Sequence, residues 1–258
     1  MDAVIVTGAS KGIGRQVCVE LLSLPVAVVA VARSPDALLS LADHAPGPGV
    51  LHCIVGDITH PPTQDSVIAA ISPYRLRALI NNAATVTPTG PLLSHTPDEW
   101  RRIWELNFLA PVSLASRCLE HFRGHQRSRV IINVTSSTSQ APVSGFGPYG
   151  STKTALNYVT KALAAEYPDL TSIAFYPGVV DTQMNGSALG AANATNERVD
   201  MSAVIEKLQA PIPAKLPSTI IANLALHADH DLSGKYVVYS DSEMEEYRQQ
   251  PCLDSLNP

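Results

Sequence analysis

The chain has 258 residues, 45% hydrophobic and 16% charged, with a formal net charge of -5. That is enough apolar material for one sizeable core, and too much for a disordered chain. No basic run rises above the acidic background, which argues against nucleic-acid or membrane-surface binding. The longest apolar stretch, Val26–Ala32, is too short to span a bilayer. Cys18, Cys53, Cys118 and Cys252 are far apart and form no C-x-x-C pair, so neither a metal site nor a disulfide framework is expected. A strand-like run already begins at Ala3, so no leader is expected and the reading is a cytoplasmic protein.

In chain order, β-branched runs alternate with helix-like segments. A strand over Ala3–Thr7 leads into a helix over Gly12–Leu22. A strand over Val26–Val31 is followed by Ser34-Pro35, which reads as an N-cap with proline at the first position of a helix over Pro35–Asp43. The pattern continues with a strand Val50–Val55, a helix Thr63–Ile71, a strand Ala78–Ile80 and a long helix Pro97–Arg123. It ends with a strand Val130–Val134, a helix Tyr149–Glu166, a strand Thr171–Tyr176, a helix Pro217–His227 and a strand Tyr236–Tyr239. Several strands are apolar on both faces, as parallel strands covered on both sides are. The alternation predicts an α/β fold: a doubly wound parallel sheet of about seven strands, helices on both faces, one domain over 1–258. Gln183–Asp200, rich in Ala, Asn and Gly, reads either as a substrate lid or as an ordinary surface insertion.

The first strand runs directly into Thr7-Gly8-Ala9-Ser10-Lys11-Gly12-Ile13-Gly14. Glycines let the backbone turn sharply and approach a ligand, and the helix start beyond offers free N–H groups to a pyrophosphate. The spacing is G-x-x-x-G-x-G, and TGASKGIG resembles the cofactor motif of the short-chain dehydrogenase/reductase family. The resemblance implies a Rossmann-like fold and a nicotinamide cofactor held by Gly8, Ser10, Lys11, Gly12, Ile13 and Gly14.

The second strand ends at Val31-Ala32-Arg33-Ser34, with no acid there to bind a ribose diol. Lys11 and Arg33 suit a 2′-phosphate, so the expected cofactor is NADP(H). The competing reading makes both ordinary surface cations, with Asp36 as partner of Arg33. Gly56-Asp57-Ile58 follows the third strand, where the family sets an aspartate against adenine. Asn81-Asn82-Ala83-Ala84 follows the fourth and resembles the family's N-N-A-G, with Ala84 in place of glycine. Asp57 and Asn82 also fit turn or cap roles.

Tyr149 and Lys153 are four residues apart, on one helical face. An ammonium beside a phenol favours the phenolate and brings it toward the working range. Thirteen positions earlier Ser136 follows a strand end, where the resemblance implies a hydroxyl that polarises a substrate carbonyl. Asn107 lies in a helix interior, which asparagine disfavours. The family's matching asparagine binds a water linked to the lysine. Tyr176-Pro177-Gly178-Val179-Val180-Asp181-Thr182 resembles the family's P-G motif beside the nicotinamide. Through it Pro177, Gly178, Val180 and Thr182 join Tyr149 and Lys153 as cofactor contacts.

Together these matches imply an NADPH-dependent carbonyl reductase acting on a small-molecule ketone, with Tyr149 as proton donor. Val86, Pro142, Val143, Phe146, Met184 and Leu189 are candidates for an apolar pocket, or for core packing. The stretch from Pro177 to Met184 resembles the benzil-reductase and sepiapterin-reductase-like branch. The rival readings are an alcohol or hydroxysteroid dehydrogenase working in oxidation, and an NADPH-sensing regulator without turnover. By resemblance the two long helices form the face of a homodimer or homotetramer. Beyond Tyr239 the chain departs from the family pattern.

Overall fold

The computed structural model describes residues 1–44, 47–122, 129–181 and 211–249. β1 (Asp2–Thr7), β2 (Ala27–Ala32), β3 (Val50–Val55), β4 (Arg75–Asn81), β5 (Val130–Val134), β6 (Thr171–Tyr176) and β7 (Tyr236–Val238) form one sheet in the order β3-β2-β1-β4-β5-β6-β7. Every pairing is parallel. The order reverses between β1 and β4. At such a switch point the adjoining loops part at the strands' C-terminal ends and leave a crevice.

Alternating residues of each strand feed two cores. Val4, Val28, Ile132 and Phe175 pack against α1 (Gly12–Leu22) and α7 (Lys215–His227). Ile5, Val29, Leu79 and Ile131 pack on the other face, against α3 (Pro61–Ile71) and α5 (Ala110–Cys118). This two-sided burial explains the doubly apolar strands seen in the sequence. α6 (Gly147–Glu166) lies on the second face, where Thr135 and Asn133 bond to its Asn157 and Thr160.

The expected Pro97–Arg123 helix is broken into pieces that end in a 3-10 turn at Leu119–His121. α4 (Pro97–Trp104) starts with a capping box in which Thr96 and Glu99 exchange hydrogen bonds. A π-helical turn over Glu105–Leu109 follows, then α5. α2 (Pro35–Leu39) stops short of the expected Asp43. Ser34 occupies the N-cap of α2, but its side chain makes no cap bond. The proposed lid at 183–200 lies outside the described residues. No helix among the described residues is long and apolar enough to cross a membrane.

Candidate active site

A cavity of about 790 Å³ opens along the C-terminal ends of the strands. That is at the large end of small-molecule sites, which run roughly 300–1,000 Å³. Gly8, Ser10, Lys11, Gly12, Ile13, Arg33, Ser34, Asp57, Ile58, Asn82, Ala83 and Ala84 line it toward the switch point. Val86, Ser136, Val143, Phe146, Tyr149, Lys153, Pro177, Gly178 and Val180 also line it. Gly14 and Asn107 stand behind it. Pro142, one residue before the lining Val143, is exposed and is not part of the wall. Thr182, Met184 and Leu189 lie outside the described residues.

The glycine turn is held from behind. Gly8 has a positive φ of 68°, a conformation that glycine adopts without strain. A side chain there would meet the Ala83 backbone at 2.9 Å, and one at Gly14 would meet the Gly8 carbonyl oxygen at 2.5 Å. The Asn82 amide donates to the Thr7 carbonyl at 2.8 Å and to that of Gly8 at 3.3 Å. Asn82 therefore braces the turn as well as lining the cavity. Asp57 accepts from Thr59 N at 3.0 Å and from the Thr59 hydroxyl at 2.8 Å. These bonds, with the Arg33 and His60 charges, outweigh partial burial and hold its carboxyl below the usual range.

The partner of Arg33 is Asp57, at 3.8 Å, and not Asp36. Arg33 is 74% exposed, and such a pair is worth about 0–1 kcal/mol. The guanidinium is therefore available to a stronger anion. Arg15, which the sequence reading passed over, also lines this end and donates to the Ser40 carbonyl at 3.3 Å. Its signal was a third cation one helical turn beyond Lys11.

At the other end, α6 and the β5 strand end bring three groups together. Tyr149 is buried, packed against Val86, Ile103, Trp104 and Phe146. The Ser136 hydroxyl lies near enough to the Tyr149 phenol to favour its ionised form. Lys153 Nζ donates to the Val134 carbonyl at 2.7 Å and sits 5.7 Å from the Tyr149 ring centroid. Burial is the largest influence on the phenol, and pushes it up to about 12 despite the nearby Ser136 hydroxyl. Burial also lowers Lys153 to about 8, while Nζ is directed at the Val134 carbonyl.

Ser136 is fixed by its own loop and by α6. Its hydroxyl accepts from Thr138 N at 3.2 Å and from the Thr138 hydroxyl at 3.0 Å. Asn157 accepts from the Thr135 hydroxyl at 2.7 Å and donates to Ser139 at 2.8 Å. The Ser139 hydroxyl in turn donates to the Ser136 carbonyl at 2.5 Å. Tyr149, Lys153 and Asn157 recur every four residues, a signal that could have found Asn157.

Asn107 is fully buried in the π-helical turn. Its Oδ1 accepts from Thr85 N at 2.9 Å, and its Nδ2 donates to the Thr85 carbonyl at 2.8 Å and to Thr152 at 3.2 Å. The amide ties the loop after β4 to α6. An Asn107→Ala substitution strands both backbone groups of Thr85. At roughly 1–3 kcal/mol per unsatisfied buried group, thermal unfolding is expected to fall by several degrees. An unchanged melting midpoint would contradict this bracing role.

A family model described as short chain dehydrogenase matches residues 2–192. The chain belongs to the short-chain dehydrogenase family. It is 30% identical over 256 residues to an uncharacterised oxidoreductase of Saccharomyces cerevisiae, covering 95% of this chain and 98% of that one. The crystal structure of that yeast short-chain dehydrogenase/reductase matches with a TM-score of 0.86 at 26% identity, over 96% of this chain and 100% of that one. A benzil reductase ((S)-benzoin forming) of Bacillus cereus is 31% identical over 194 residues, 71% of this chain and 78% of that one. D-erythrulose reductase of Gallus gallus is 33% identical over 162 residues, 63% of each chain. The protein is accordingly an oxidoreductase of the class that interconverts alcohols and carbonyls.

Proposed function

We propose that the protein is an NADPH-dependent ketone reductase in which Tyr149 donates the proton. The observation that carries this reading is one cavity with two chemically distinct ends. Lys11, Arg15 and Arg33 line one end, and Ser136, Tyr149 and Lys153 the other. A cationic end without a ribose-binding acid on β2 suits a 2′-phosphate. The glycine turn and the start of α1 suit a pyrophosphate. Pro177, Gly178 and Val180 would flank the nicotinamide.

When bound, the nicotinamide supplies the hydride. The protein's own part begins with Ser136, whose hydroxyl orients the carbonyl oxygen and stabilises charge building on it. Tyr149 retains its proton across the physiological range, so it meets that oxygen as an acid. The Lys153 ammonium stabilises the phenolate left behind. Phe146, Val143 and Val86 give the substrate end an apolar wall.

Benzil and erythrulose, named for two relatives, share one feature. In each, the ketone carbon adjoins a second oxygen-bearing carbon. We read the substrate here as a ketone of that kind, with vicinal diketones and pterin side-chain ketones foremost. NADPH and NADH consumption over diketones, pterins, steroids and hydroxyketones tests the reading. Turnover confined to alcohol oxidation would favour a dehydrogenase, and binding without turnover a sensor. For Arg33→Ala, losing a charge-assisted contact predicts a roughly 10- to 100-fold higher KM for NADPH with that for NADH unchanged. Equal effects on both cofactors would remove the 2′-phosphate assignment.

A further inference from the structure

Tyr176 entered the sequence reading only as the residue before Pro177-Gly178, yet it lines the same cavity as Ser136 and Tyr149. The sheet fixes its direction. Ile173 and Phe175 on β6 belong to the core beneath α1 and α7. Side chains alternate along a strand, so Tyr176 faces the opposite side, where α6 carries Tyr149 and Lys153. Parallel register pairs Val134 with Phe175, and Thr135 N donates to the Phe175 carbonyl at 2.9 Å. Tyr176 therefore stands level with Thr135, one strand away and next to Ser136. Its ring stacks on Tyr236, with centroids 6.5 Å apart and planes inclined by 19°. Across the cavity its phenol is close enough to that of Tyr149 to interact electrostatically.

Resting on the reductase reading above, we propose that Tyr176 is a specificity-determining residue whose phenol donates a hydrogen bond to the second oxygen of an α-oxygenated ketone. A simple ketone offers one oxygen, which Ser136 and Tyr149 already serve. A second hydroxyl donor beside them has work to do only when the neighbouring carbon also bears oxygen. A site built to donate such a bond discriminates against the analogue that lacks the acceptor. The stacking on Tyr236 limits the ring's motion, so little freedom is lost when that bond forms.

The test compares benzil with deoxybenzoin, the same skeleton with one carbonyl replaced by CH2, in wild type and Tyr176→Phe. Phenylalanine keeps the stacked ring and removes only the hydroxyl. Losing one hydrogen bond predicts a benzil KM raised roughly 5- to 10-fold, with kcat and the deoxybenzoin constants within about twofold. Equal losses on both ketones would mean that Tyr176 acts through Tyr149, and would overturn the proposal. So would an unchanged benzil KM. Calorimetric binding of both ketones to the NADP+-loaded protein reads the same discrimination without turnover. If wild type prefers benzil there, the preference disappears in Tyr176→Phe, and no ketone is reduced, then the reductase reading fails and this one stands. If turnover is normal and neither assay separates the two ketones, this inference alone fails.

Discussion

Tyr149→Phe is expected to lower kcat/KM for ketone reduction by about a thousandfold, within the range for loss of a general acid. The phenyl ring retains the packing against Val86, Ile103, Trp104 and Phe146. Only the hydroxyl, which faces Ser136, is removed. The fold should therefore survive, with a melting midpoint close to wild type. Lys11, Arg15, Arg33 and the glycine turn are untouched at the other end of the cavity, so NADPH should still quench protein fluorescence on binding. Turnover within tenfold of wild type would show that the acid is another group, and the whole assignment would fall with it.

The legibility of this protein in its sequence follows the range of the interactions involved. β3, β5 and β6 have the boundaries expected of them, because short β-branched and apolar runs between turns admit few alternatives. The glycine turn, Ser136, Tyr149 and Lys153 were equally visible, since each sits at a strand end or helix start that local pattern defines. The break in the long helix was not. Asparagine at position 107 hinted at trouble, but its partner Thr85 lies 22 residues upstream, and only the folded chain brings them together. Tyr176 was hidden differently: its pleat face depends on which core takes Phe175. Asp36 was the nearer carboxylate to Arg33 in sequence, yet the β2–β3 pairing makes Asp57 the nearer one in space.

Lys153→Met should separate activity from stability. Burial lowers the ammonium from 10.5 to about 8. The folded state thus binds this proton less tightly than the unfolded state does. The resulting cost is full below about pH 8 and is relieved as pH climbs toward 10.5, the reverse of a stabilising lysine pair. Methionine keeps most of the stem, drops the charge and gives up one hydrogen bond to Val134. The lost bond and the relieved desolvation oppose each other, so the melting midpoint at pH 7 should hold or rise. Turnover should nevertheless fall about a hundredfold, because a charge-assisted contact to the nascent phenolate is worth roughly 1.5–3 kcal/mol. In wild type, reduction should slow as pH rises through about 8, where the ammonium is lost. In the variant that limb should be absent, leaving a low and flat profile. A variant that retains the limb would assign it to another group, and one that loses stability in step with activity would make Lys153 a structural residue.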